Sequence, residues 1–223
     1  MIALAVFRVA AYVRSHRVYQ ALLLLLALLA IVEGSRAPVG QETSALADTA
    51  VLLIPVLAWS TRSLLDTEPD QQRTLSAISV GGRARELGAG LLAALATSVA
   101  FAALALGWGL LLGVSVTPPP DEFAAVLALH GIAVLAGLAL GALTSRPVLP
   151  SPAVSIMALL FGFMAMLLLS VSPLYWLTVP VIRWMKAAGA GDLAARLPEL
   201  AAISLLWCLA GLAAYGWLRR ARP

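Results

Sequence analysis

"VLLIPVLAWSTRSLLDTEPDQQRTLSAISVGGRARELGAGLLAALA", residues 51–96, passes from an apolar stretch through a charged one and back into an apolar one. Asp66, Glu68, Asp70, Arg73, Arg83, Arg85 and Glu86 lie between Leu64 and Gly88, with Arg62 just upstream, in a chain with only 15 basic and 11 acidic residues. The flanks decide the fold class. Of the 223 residues, 61% are hydrophobic and 12% charged, with a mean hydropathy of +0.95; in soluble domains about a quarter of residues are charged. The composition is that of an all-α integral membrane protein.

Crossing a hydrocarbon core of about 30 Å takes roughly 20 apolar residues. The apolar runs predict six spans, at about 18–33, 45–65, 87–116, 123–143, 153–172 and 200–218, within a single transmembrane domain over 1–223. Pro55 falls inside the second, where neighbouring helices can absorb a kink. The third, which "TPPPDE" ends, exceeds what a bilayer needs and is expected to tilt or to project from it. The N-terminal segment carries its arginines after its apolar residues and no small-residue cleavage site, so it reads as retained rather than as a secretory signal.

Basic residues set the orientation, because cytoplasmic segments carry the excess. Three lie before the first span (Arg8, Arg14, Arg17) and four around the quoted segment (Arg62, Arg73, Arg83, Arg85). Arg146 follows the fourth span, and Arg219, Arg220 and Arg222 follow the sixth. The other face has Arg36, Arg183, Lys186 and Arg196. Both termini and the quoted segment are thereby expected in the cytoplasm. Arginines confined to loops beside apolar spans report topology and give no reason to expect a nucleic-acid partner. On the outer side, residues 181–186 would place Val181, Trp184 and Met185 on one helical face, as for a short helix lying in the interface.

Catalytic chemistry has little to work with. A phosphate-binding loop needs a lysine after a glycine-rich turn, and the only lysine, Lys186, follows Trp184 and Met185 on the outer side. Two histidines, His16 and His130, and the single Cys208 are too far apart in sequence for an ordinary metal site. The chain is therefore read with no catalytic residue, metal or cofactor of its own. Glu33, Asp48 and Glu199 fall at outer helix ends rather than at the midplane, which argues against proton-coupled transport. His130 lies at lipid depth; its plain reading is a hydrogen bond to a neighbouring helix, and it is the one candidate substrate contact. Gly137 and Gly141 fit close helix packing, and Met157, Met164 and Met166 read as gap fillers.

Within the charged segment, Thr67 followed by Glu68, Pro69 and Asp70 reads as a helix start, with a hydroxyl cap and acids at the positive end of the dipole. Gly81 and Gly82 read as its stop. The intervening helix of about 12 residues places Leu75 and Ile78 on one face. After the diglycine, "RARELGAGLLAAL" restarts a helix that runs directly into the third span.

An acidic start, "TL", a valine, then basic residues and a glutamate leading into the third of six spans resembles the transmembrane subunits of ABC-2 (type V) exporters. The basic N-terminal segment is similar to that family's amphipathic elbow helix, and "SPLYWLTVPVIRWMKAA" to its short outer helices between spans 5 and 6. The family's Thr-Pro pair is replaced by Ser79-Val80, and its Gly-Lys is missing at Gly88-Ala89-Gly90. The resemblance implies that residues 66–86 form a coupling segment docking on an ATP-binding subunit. Glu68, Asp70, Arg73, Thr74, Leu75, Ile78 and Val80 would make the contact, and Arg83, Arg85 and Glu86 the exit. It also implies two copies of that ATPase, which would hold the ATP and Mg, and a second transmembrane subunit completing a homo- or heterodimer. The location implied is the bacterial cytoplasmic membrane, and the activity outward movement of an amphipathic or hydrophobic substrate such as a drug, peptide or lipid-like molecule. The reading set against it is a non-transporting membrane anchor or assembly factor that recruits a cytoplasmic partner through residues 64–88.

Overall fold

A backbone in lipid must satisfy its polar groups within itself, which leaves helices as the spanning element for a chain patterned like this one. The computed structural model describes residues 1–221; the side chain of Asp70, and Arg222 and Pro223, lie outside the described residues. The described chain is helical: α1 Ile2–Arg14, α2 Arg17–Val32, α3 Glu42–Leu65, α4 Asp70–Ser79, α5 Arg83–Trp108, α6 Pro120–Leu143, α7 Pro152–Val171, α8 Val181–Ala190 and α9 Leu193–Ala221. A wider π turn, Gly109–Gly113, continues α5, and a 3₁₀ turn, Tyr175–Leu177, precedes α8.

Five helices are long and apolar enough to cross a membrane alone: α3, α5 with its π turn, α6, α7 and α9. The expected sixth is a broken one. With 16 residues, α2 rises only about 24 Å at 1.5 Å per residue, short of a hydrocarbon core. It passes only together with α1, from which it bends by 74°. His16, in the left-handed region at φ 59°, makes that bend. α5 starts at Arg83, where the sequence restarts a helix after the diglycine, while α9 starts at Leu193, ahead of its apolar run, and carries Pro198 within it.

α3 and α6 form the centre of the bundle, with α2, α5 and α8 on α3 and α9 on α6. Small residues make this possible. A Cβ at Gly137 would stand 2.6 Å from the Leu57 Cβ, and one at Gly141 would stand 2.4 Å from the Ala58 carbonyl oxygen. Both backbones therefore approach to a distance only glycine permits, as the spacing predicted.

Elsewhere the sequence reading is corrected. Met157 and Met164 face outward on α7, half exposed, and of the three methionines only Met166 packs on the core. The expected short helix forms at 181–190, and its apolar face packs on the bundle: Val181 and Trp184 are fully buried, and Trp184 Nε1 donates to Ser204 Oγ at 3.1 Å. Glu33 caps the end of α2, at a helix end as expected, but it is buried there, and its carboxylate accepts from Thr49 Oγ1. It occupies the space the π turn leaves, since a Cβ on Gly113 would fall 1.6 Å from Glu33 Oε2.

Gly141→Val forces the α3–α6 pair apart, and overpacking of this kind costs about 1–3 kcal/mol. A thermal melt of the purified protein should show a clear fall in Tm, whereas Gly131→Ala on the same helix, where an added Cβ meets nothing within 4 Å, should leave Tm unchanged or slightly higher.

Candidate functional site

α1 buries one face, built from Ala5, Arg8 and Tyr12 at helical spacing. An arginine in the middle of a buried stripe must find a carboxylate, because an unpaired charge away from water costs several kcal/mol. Arg8 finds two. Its Nη2 pairs with Glu68 at the approach to α4 and, at 2.5 Å, with Glu86 Oε1 in the first turn of α5, while Nη1 donates to the Glu86 carbonyl at 2.9 Å. Glu86 Oε2 takes a further pair from Arg219 Nη2 of α9 at 2.9 Å. Two arginines and two glutamates thus form a neutral buried cluster joining α1, the α3–α4 link, α5 and α9. Gly90 makes room for it, since a Cβ there would lie 2.7 Å from Arg8 Nη1.

A second knot sits beside the first. Asp66, which caps the end of α3, accepts from the Arg146 backbone N–H at 2.7 Å through Oδ1, and its Oδ2 lies 3.8 Å from Arg62 Nε. Arg17 Nη1 donates to the Asp66 carbonyl at 3.0 Å. Arg62 also donates to Ser155 Oγ, which itself donates to the Thr144 carbonyl. Burial pushes the Asp66 carboxyl up from its ordinary value, against the lowering effect of the Arg146 N–H and of Arg62, Arg73 and Arg146. The stability this group contributes is therefore full below its unfolded value of 3.8 and is lost as the pH rises through the higher folded value.

These two knots seat α4. Arg73 is buried and donates to the Leu65 carbonyl, and Ser76 Oγ donates to Glu68. The start of the helix differs from the sequence reading: the N-cap is Pro69, and Thr67 instead donates to the Ser63 carbonyl, closing the end of α3. Its stop is as predicted. Gly81 and Gly82 take φ 82° and 134°, conformations a side chain resists, and the Gly82 N–H returns to the Ala77 carbonyl at 2.7 Å.

The residues predicted to touch a partner therefore divide. Leu75 and Ile78 are 67% and 73% exposed and project from the arginine-rich end of the bundle; Thr74, Arg83 and Arg85 are exposed too, and Val80 is half-buried. Glu68 and Arg73, expected in the contact, are buried and hold the segment rather than present it, and Glu86, expected at its exit, is buried as well. The Asp70 side chain, expected in the same contact, lies outside the described residues. His130 stands apart in α6. Its Nδ1 meets the Val126 carbonyl of its own helix at 3.0 Å rather than a neighbouring helix, and its buried Nε2 has no partner among the described residues.

Sequence reading missed Arg8, Arg219 and Asp66 as parts of this site. For Arg8 a signal existed, an arginine on the same helical face as Ala5 and Tyr12. For Arg219 none did, because its partner lies 133 residues away. Compared with protein-family models, with the curated protein sequences and with solved structures, the chain matches none.

Replacing Arg8 with Met removes the shared cation and leaves Glu68 and Glu86 facing each other in a buried site, a change expected to cost about 3–5 kcal/mol. Lower Tm and faster proteolysis near residues 64–88 than in the wild type are the expected readouts, and an unchanged melt would show that the cluster does not hold α4.

Proposed function

We propose that the chain is the transmembrane subunit of an ATP-driven exporter of the ABC-2 type, with α4 as the helix through which a separate ATP-binding subunit moves the membrane helices. One observation carries the reading. α4 presents two exposed apolar side chains, Leu75 and Ile78, while its base is tied by buried ion pairs to α1, α5 and α9. A positive-inside connector needs neither part of this. Exposed apolar residues on a helix too short to span call for a protein groove, and a buried charge cluster resists bending, so a push on α4 reaches three helices at once.

In this reading ATP and Mg belong to the partner, present in two copies, and a second transmembrane subunit, identical or homologous, completes the pathway. The arginine-rich end faces the cytoplasm of a bacterial cell membrane with both termini, in keeping with the positive-inside rule. The substrate moved outward is amphipathic or hydrophobic, a drug, peptide or lipid-like molecule, in keeping with the apolar faces of the bundle.

Co-purification with any ATP-binding subunit found encoded beside this chain, followed by an ATPase assay across drugs, peptides and lipids, tests the proposal directly, and a neighbourhood without such a gene counts against it. Leu75→Asp should leave Tm and membrane insertion unchanged while weakening partner capture about 30-fold, the loss of one central contact of about 2 kcal/mol. Capture at undiminished yield would refute the docking role of α4. Orientation has its own check: a cysteine at Ser79, exposed on α4, should react with a membrane-impermeant maleimide only from the cytoplasmic side, with Cys208 silent because it is buried.

A further inference from the structure

Behind the exposed edge of α4 lies a cleft of about 690 Å³, walled by α4, the first turn of α5, residues 146–150 and the last turns of α9. Arg73, Arg83, Arg146, Arg219 and Arg220 line it, and among the described residues Glu86, already shared by Arg8 and Arg219, is the one acid in its walls. Arg83, Arg146 and Arg220, exposed around a cavity of ligand size, form a positive focus, and arginine's planar fork suits phosphate oxygens two at a time.

The position of the cleft selects the kind of phosphate. Gly216, Arg219 and Arg220 of α9 line it, and Trp217, between them, is 67% exposed, as a residue at headgroup depth would be. α9, like α7, has the least buried apolar surface of the spanning helices, so acyl chains can lie along α9 while a headgroup turns into the cleft. Basic pockets between helices at this depth bind anionic headgroups. We propose that the cleft is a binding site for the phosphate-bearing headgroup of an anionic phospholipid in the adjoining leaflet. The site follows from its own lining and depth and does not rest on the exporter reading.

Native mass spectrometry of the full chain, titrated with phosphatidylglycerol and separately with phosphatidylcholine, tests it. The first phosphatidylglycerol should bind at least 10-fold more tightly than the first phosphatidylcholine. Arg146→Gln combined with Arg220→Gln, both exposed residues, should weaken it about 30-fold, and Arg83→Gln alone by about 5-fold. Arg14→Gln, which removes the same charge outside the cleft, should leave binding unchanged.

Equal affinity for the two lipids, or an equal loss in Arg14→Gln, would overturn the proposal in favour of general surface attraction. Displacement by soluble glycerol phosphate at the concentration at which the lipid itself competes would overturn the lipid assignment and indicate a free phosphate ester. A double variant that keeps phosphatidylglycerol but loses a co-purifying protein would assign the cleft to a protein contact instead.

Discussion

Charge at the edge of a membrane has to be neutralised where it stands, because lipid offers no solvation and the neighbouring water reaches only part of the surface. In this protein that requirement falls on Arg8. Its guanidinium, buried on the inner face of α1, joins Glu68 and Glu86, and Glu86 in turn joins Arg219. Such a cluster adds little net stability over an apolar core, since desolvation offsets much of the attraction. Its effect is on geometry: any arrangement that separates the four side chains leaves a buried charge unpaired, so α1, α4, the start of α5 and the end of α9 must meet at one place.

The rest of the bundle is held by a different kind of constraint. Between α3 and α6 no ion pair is found among the described residues, and in lipid there is no hydrophobic driving force between helices, so contact depends on how closely the backbones approach. Gly137 and Gly141 permit it, and Gly109 and Gly113 do the same for the buried Glu33 carboxylate at the other end. The result is a molecule closely packed at its centre and tied by charge at one end, with apolar surface left open on α7 and α9.

These constraints meet on residues 64–88. The segment is anchored on one side by buried pairs and open on the other through Leu75 and Ile78, and the arginine-lined cleft lies between its inner face and α9. An element held at its base and exposed at its tip is suited to passing displacement inward, while the proposed lipid site would tie the same region to the charge of the surrounding leaflet. Membrane composition and partner engagement would then act on neighbouring faces of one helix.

Local chemistry made much of this legible from the sequence. Apolar runs of bilayer length gave the spanning helices, the diglycine gave the end of α4, and the spacing of Leu75 with Ile78 and of Gly137 with Gly141 gave their faces, because each depends only on residues within a few turns. What the tertiary structure decided are the pairings across the chain. The glutamates of the charged segment face inward because folding brings arginines of α1 and α9 near, whereas Thr67 closing α3 and His130 turning to its own helix are local bonds to carbonyls four residues back. Arg8 reads in sequence as one more positive charge on the inner side; only packing, which places it against acids 60 and 78 residues away, makes it the residue that fixes α4, since no local rule can say which distant carboxylate a buried cation will meet.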